Sequence, residues 1–590
     1  MVLALVLLWS CGQLDAAHGQ TFGTVRLGGG SIEIVGADVG TTTADFAQIV
    51  VASGASLISV SNGLGDGTTL NMGPITRHVG GTLNLLLPDP PGAITTTNGN
   101  IDGIVGGYLT ISGTDWATGT GGSSPFALQP VSSYADDVWA PGNHTTVVTS
   151  NSPAAGSTTA SLRFNSAGGL SLTLTDDAGQ ANVITRGGIL VTPNVGAHDL
   201  SIAAAPAGAH LTSGNAQDLI VIHNNPLGLL TVGPTISDNG ATPVGLTKSG
   251  SGTLLLAPAT ANSYSGATTI NGGVLSVSDI GNGGTPSAIG QSTSAAGNLA
   301  LNGGGLRYTG DATTTDRLLS LGLCSTLGAR GGTIESSGAG PITFANAGAI
   351  EFNTLALLTL TLGGSNTDNN SFAPLLGDQT SIFGNVPSAL RKSGGGTWIL
   401  TNANTYSGDT TIDAGTLLVQ NIAGSATGTG DVLVHPGATL GGTGTTTGPV
   451  TFDGGILAPG NSAGTLALGP TVFDAASILE FQLDMPGIVG NQINDLAAVA
   501  GNLTLDGTLD ATGLTNFGSG VYRLFNYSGA LTDNALTVGL LPSGYAAVVD
   551  TSIAHQVNLN VALVPEPATI VLAGAGAIGF VLCARRRRRR

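Results

Sequence analysis

Residues 246–277 read LTKSGSGTLLLAPATANSYSGATTINGGVLSV, and residues 390–419 read LRKSGGGTWILTNANTYSGDTTIDAGTLLV. In each, a lysine (Lys248; Lys392) leads a glycine-rich turn containing Gly252 or Gly396 and then a short apolar run, Thr253–Leu256 or Thr397–Leu400. An Asn-x-Tyr-x-Gly step follows at Asn262, Tyr264 and Gly266, and again at Asn404, Tyr406 and Gly408. A Thr-Thr-Ile strand and a Gly-bounded strand complete each copy. The first copy is longer by two residues inserted before the tyrosine, which places the difference in a surface loop. Neither copy holds a span long enough for a helix, so each reads as three short strands punctuated by Gly or Asn turns. Such a unit cannot bury its apolar face alone. Stacking on further coils about 4.8 Å away does so, each inward row of Leu, Ile and Val packing on the same row of the next coil. The sequence therefore predicts an all-β fold: a parallel, right-handed β-solenoid (β-helix) with coils of roughly 22 residues, about two-thirds the length of each repeat copy.

Composition agrees. Of 590 residues, 94 are Gly and only 9% are charged, while 41% are hydrophobic. Disorder requires the opposite balance, low hydrophobicity with high charge, and no three-residue glycine period supports collagen. The net charge of −18 includes the six arginines that end the chain, so the body is more acidic still and cannot neutralise phosphates. No nucleic-acid partner is expected. The three cysteines, Cys11, Cys324 and Cys583, are too far apart for a disulfide framework or a zinc knuckle.

Both repeat segments closely resemble the autotransporter-associated β-strand repeat, a Lys-Ser-Gly-x-Gly-Thr turn and strand, then Asn-x-Tyr-x-Gly, then a Thr-Thr-Ile strand. The signature falls on Lys248, Gly252, Tyr264 and Gly266, and on Lys392, Gly396, Tyr406 and Gly408. The resemblance implies a secreted β-helical passenger whose repeats support export and stacking. The chain departs from that family at its end. No run of about ten-residue alternating strands suggests an outer-membrane barrel, so self-translocation is not implied.

The termini carry the addressing signals. Residues 1–19 open on a wholly apolar stretch and reach Ala16-Ala17-His18-Gly19, the small residues of a signal-peptidase site. At the other end, Pro565-Glu566-Pro567 precedes an uncharged stretch over 568–584 and the run Arg585, Arg586, Arg587, Arg588, Arg589 and Arg590. Seventeen helical residues span about 26 Å, and snorkelling arginines close the gap to a ~30 Å hydrocarbon core. A transmembrane helix with its arginines in the cytoplasm is expected. The order Pro-Glu-Pro, apolar helix, arginine cluster over 563–590 resembles the PEP-CTERM sorting signal. It implies export, membrane retention and processing by an exosortase-type membrane enzyme, in bacteria that make exopolysaccharide. Between the ends we expect an N-terminal solenoid region over 20–240, the repeat-bearing solenoid over 241–470 and a β-sandwich-like cap over 471–562.

Catalytic patterns are sparse. Gly460-Asn461-Ser462-Ala463-Gly464 fits G-x-S-x-G, but a strand rather than a helix follows it, unlike a nucleophile elbow. Asp136-Asp137 and Asp176-Asp177 are adjacent pairs that point to opposite faces of a strand, whereas glycoside hydrolysis needs two carboxylates facing one space. Asn366-Thr367-Asp368 is similar to one polygalacturonase element, without the others. The eight histidines form no metal-ligand pair, no cofactor is expected, and Gly65-Asp66-Gly67 and Asn100-Ile101-Asp102-Gly103 offer only incidental calcium oxygens. Tyr264 and Tyr406 are read as pins at coil corners, with sugar stacking the alternative. The expected function is a noncatalytic structural or adhesive protein of a bacterial envelope or extracellular polysaccharide matrix, held at the membrane before processing and then at the cell surface or outside. The alternative is a secreted β-helix polysaccharide lyase or glycoside hydrolase.

Overall fold

The computed structural model describes residues 12–15, 20–176, 180–205, 208–214, 217–324, 328–382 and 384–564. It is a parallel β-solenoid of about 19 turns, and no α-helix occurs among the described residues. The chain forms two compact units, residues 1–398 with 405–408, and residues 399–404 with 409–590.

The first unit contains two coil stacks. Residues 20–130 build a short one. Gln20–Leu27, Thr41–Val51, Gly67–Asn71 and Ala93–Thr96 pair in parallel as one sheet. Ser31–Val35, Gly54–Ser61, Gly81–Leu86 and Leu109–Ile111 form the facing one. Alternation sends Ile34, Phe46, Ile58, Leu70, Leu85 and Ile94 into a common core. An antiparallel hairpin, Asp115–Thr120 with Phe126–Pro130, joins the two sheets by pairing Leu109–Ile111 at one side and Ala93–Thr96 at the other. Within the expected leader, Gly12–Asp15 forms a strand beside Ser31–Val35.

From residue 135 the chain winds a longer stack. Its register builds one continuous column of buried residues: Ile189 pairs with Val221, Val221 with Lys248, Lys248 with Ile270, Ile270 with Leu301 and Leu301 with Leu321. Leu358–Gly363 shows the local rule, Leu358, Leu360 and Leu362 buried and Thr359 and Thr361 half-exposed. Coils are less uniform than the expected length, because Leu246 to its partner Thr268 takes one compact turn while Thr268 to Leu299 includes a long excursion. The solenoid register constrains only the strands, so corners absorb insertions.

The second unit continues the same pattern. Thr410–Ile412, Val432–Val434, Val450–Phe452, Thr471–Phe473, Leu503–Leu505 and Leu531–Asp533 stack in parallel on one face. The cap expected over 471–562 is thus entered by further parallel coils. Antiparallel pairing begins only where Gly520–Tyr527 meets Gln556–Leu563, which in turn pairs with Tyr545–Asp550. Aromatic contacts between Phe473 and Phe525 and between Phe481 and Phe525 fill the core beneath it.

Candidate functional site

The repeat lysines are core residues. Lys248 sits in an inward column between Val221 and Ile270 and is fully buried. Its Nζ donates to the carbonyls of Ser249, Gly250 and Gly272 at 2.9, 2.8 and 3.1 Å. Burial pushes this ammonium down to about 7, yet three acceptors call for the three protons that only the charged form carries. Lys392 is equally buried, following Leu362 in register, and donates to Ser393 and Gly394. The lysine therefore ties the carbonyls of its own turn, and for Lys248 those of the next coil.

The other signature residues serve the same packing. A Cβ at Gly252 would lie 2.3 Å from His223 Nδ1 and 2.5 Å from the Asn225 carbonyl oxygen, and one at Gly266 2.6 Å from the Gly245 nitrogen. At Gly396 and Gly408 the Asn366 and Ser388 carbonyl oxygens stand at 2.5 and 2.4 Å. These glycines permit coil-to-coil approach. Tyr264 is wholly buried, its hydroxyl 2.7 Å from Thr268 Oγ1, and burial raises it above the ordinary phenol value. Tyr406 is buried as fully, so neither ring offers a face to sugar. Asn262 bridges coils, accepting from the Ile236 amide and donating to the Ala288 carbonyl, and Asn404 donates to Ala426.

The first unit also holds a seam that no motif announces, where the short N-terminal stack lies along the longer one. The Arg77 guanidinium forms two bonds to the fully buried Asp218, at 2.7 and 2.6 Å, and Thr247 Oγ1 donates to the same carboxylate at 2.6 Å. Asn271 donates to the Gly80 carbonyl, Asn302 to Ser53 and Asn224 to the Gly113 carbonyl. Arg186 pairs with Asp102 at 2.7 Å, and Arg163 pairs with Asp115 while stacking 3.4 Å over Tyr134. Trp116 packs with Ile104, Leu190, Ile220 and Ile222.

The candidate catalytic residues are dispersed. Ile456–Pro459 leads through Gly460-Asn461-Ser462-Ala463-Gly464 into the strand Thr465–Leu468, and Ser462 is exposed with φ 114°. Behind that turn the buried Asp495 accepts from the Gly464 and Gln482 amides at 2.8 and 2.6 Å. Desolvation lifts its carboxyl to about 7 against those two bonds. Asp137 caps a turn through the Val148 and Thr149 amides, Asp176 bonds His210, and Asn366 bonds Asp368 and Asn370. Asp102, one of the calcium candidates, is the partner of Arg186. Among the described residues no group of three His, Cys, Asp or Glu side chains could hold a metal ion. One carboxylate pair escaped the sequence reading: Glu480 and Asp510 stand in register on adjacent strands. Desolvation, and then Asp510, raise Glu480 above its usual value, while Asp510 accepts from the Leu540 amide. The pair spans parallel strands with no local spacing to reveal it.

Pro565, Glu566, Pro567, the stretch 568–584 and Arg585 to Arg590 lie outside the described residues. No helix among the described residues is long and apolar enough to cross a membrane.

Comparison with known families places these features in two classes. The passenger-associated-transport-repeat family matches residues 246–277 and 390–419, and the PEP-CTERM protein-sorting motif matches residues 563–588. Among individual proteins, the chain is similar to the adhesin BmaC autotransporter of Brucella suis biovar 1 (strain 1330), 37% identical over 359 residues that cover 48% of this chain and 10% of that protein. It is also similar to the autotransporter adhesin/invasin TibA of Escherichia coli O78:H11 (strain H10407 / ETEC), 29% identical over 268 residues, 42% of this chain and 24% of that protein. The chain spans a quarter or less of these relatives.

Proposed function

We propose that this chain is an exported, noncatalytic adhesive protein of a bacterial surface or extracellular polysaccharide matrix. An exosortase-type membrane enzyme processes its C-terminal signal, and signal peptidase removes its leader. The observation that carries the reading is one chain joining a repeat-stacked solenoid, similar in sequence to autotransporter adhesins, with a sorting motif at residues 563–588. The repeat residues supply rigidity, and their burial leaves adhesion to the outward strand faces and corner loops.

The test has two parts. Replacing Pro565 to Pro567 by Ala leaves full-length protein in the membrane fraction, whereas the native chain yields a shortened mature form by mass spectrometry. Purified mature protein is retained on immobilised exopolysaccharide of the producing cell without shortening it. Normal processing of the variant, or absence of retention, contradicts the proposal. Glu480 and Asp510 give the enzymatic alternative its best carboxylate pair, so release of reducing ends or unsaturated products that disappears in Glu480→Gln would replace the adhesive reading.

A further inference from the structure

The seam between the two stacks of the first unit encloses a cleft of about 210 Å³. Its walls carry the hydroxyls of Ser56, Thr82, Thr110, Ser112, Ser249 and Ser251, and the carboxamides of Asn84 and Asn224. Leu83 and Ile222 supply apolar surface. No charged side chain lines it, although Arg77 and Asp218 pair elsewhere along the same seam.

The lining narrows the chemistry of an occupant. The lining residues hold no carboxylate to balance a cation and no guanidinium or ammonium group to balance an anion, so a neutral occupant is favoured over a charged one. A purely apolar molecule would take the exposed Ser112 hydroxyl at the rim out of water without replacing its hydrogen bonds. What remains is a neutral ligand that both donates and accepts hydrogen bonds and presents an apolar patch, the properties of a sugar ring. The volume, below the ~300 Å³ at which drug-sized pockets begin, suits one such ring with the rest of a chain outside.

The polar walls are also held in place. Asn84 Oδ1 accepts from the Gly113 amide and Thr110 at 2.8 and 3.0 Å. Thr82 and Ser249 are bonded across the seam at 2.9 Å, and Asn224 donates across it to the Gly113 carbonyl at 2.8 Å. The rim residue Ser112 is exposed and takes a left-handed backbone, φ 53°, a conformation unfavourable for a non-glycine residue. Backbone held in such a region by its surroundings is found preferentially at ligand clamps.

We infer that this cleft is a carbohydrate subsite that takes one neutral sugar residue of a polysaccharide between the two stacks. For its biological sense the inference rests on the adhesive reading; its chemistry comes from the cleft. Occupation contacts both stacks at once, so a bound sugar also holds the seam closed.

The experiment is saturation-transfer difference NMR and isothermal titration on the full chain with glucose, galactose, N-acetylglucosamine and cellobiose, and with galacturonate as charged control. At least one neutral sugar is expected to show saturation transfer and millimolar or tighter binding, with galacturonate at least tenfold weaker. Ser112→Trp and Ser251→Trp, both at non-buried positions, fill the cleft and should each weaken binding at least tenfold without altering circular dichroism. No binding by any neutral sugar, a preference for galacturonate, or native affinity in both folded variants overturns the inference. If Ser251→Trp misfolds, Ser112→Trp alone decides. Retention on exopolysaccharide, assayed separately, tells the two claims apart: retention without cleft binding leaves adhesion standing and removes the subsite.

Discussion

Lys248 concentrates the energetics of the repeat in one side chain. Lys248→Met keeps the stem but leaves the buried Ser249 and Gly272 carbonyls and the half-buried Gly250 carbonyl without their donor, and each buried loss costs about 1–3 kcal/mol. The first unit should lose on the order of 3 kcal/mol, read as a lower denaturation midpoint in tryptophan fluorescence, since Trp116, Trp139 and Trp398 all lie in that unit. Gly252→Ala should cost about 1–3 kcal/mol for a different reason, its methyl entering the space of His223 and Asn225. Two buried groups give opposite responses to acid. Burial lowers His223 to about 3, and its Nδ1 accepts from the Asn225 amide, so it folds neutral. Its contribution is complete above its unfolded value of 6.5 and is lost as pH falls toward 3. Asp495 is raised from 3.8 to about 7, so the folded chain binds the extra proton and stability is gained as pH falls from 7 to 4. Hydrogen exchange at pH 7 and pH 4 should show protection falling around residues 218–256 and rising around 464–496. The effect should be on the order of 2 kcal/mol each, and Asp495→Asn should flatten the second change.

Among the elements, strands were legible from sequence wherever neighbours in the chain decide their environment. The Thr-Thr-Ile strands and the Lys-Ser-Gly turns recur in both repeat copies, and their glycine spacing is visible without coordinates. The hydroxyl partner of Tyr264 is four residues away, so its corner role could also be anticipated. The seam could not. Arg77 and Asp218 are 141 residues apart and belong to different stacks, and nothing near either residue marks the other. The same holds for Glu480 and Asp510, joined only by strand register. The segment over 471–562 is rich in aromatics, a feature that local sequence does not distinguish from a change of fold. The parallel ladder in fact accepts those aromatics inside and turns antiparallel only near the end. Arg77→Met strands the buried Asp218 carboxylate and should destabilise the seam by about 3–5 kcal/mol, with Arg77→Met/Asp218→Asn recovering part of the loss. Faster proteolysis within residues 20–130 is the readout.

For the whole molecule, a solenoid's hazard is its ends, where unpaired strand edges invite pairing with other chains. In the second unit Gln556–Leu563 and Tyr545–Asp550 fold back in antiparallel fashion beside Gly520–Tyr527. A chain ending after residue 538 lacks both strands and should associate in a concentration-dependent way by light scattering, while the full chain does not.

The sealed amines have a practical corollary. Lys248 and Lys392 are the only lysines in the sequence, and both are enclosed once coils close over them. An acylating reagent that attacks free amines will modify these positions on a chain not yet wound and spare them after winding. Chemical tagging at two sites thus becomes a clock for when each repeat is wound, and coupling to mature material is directed to the α-amino group.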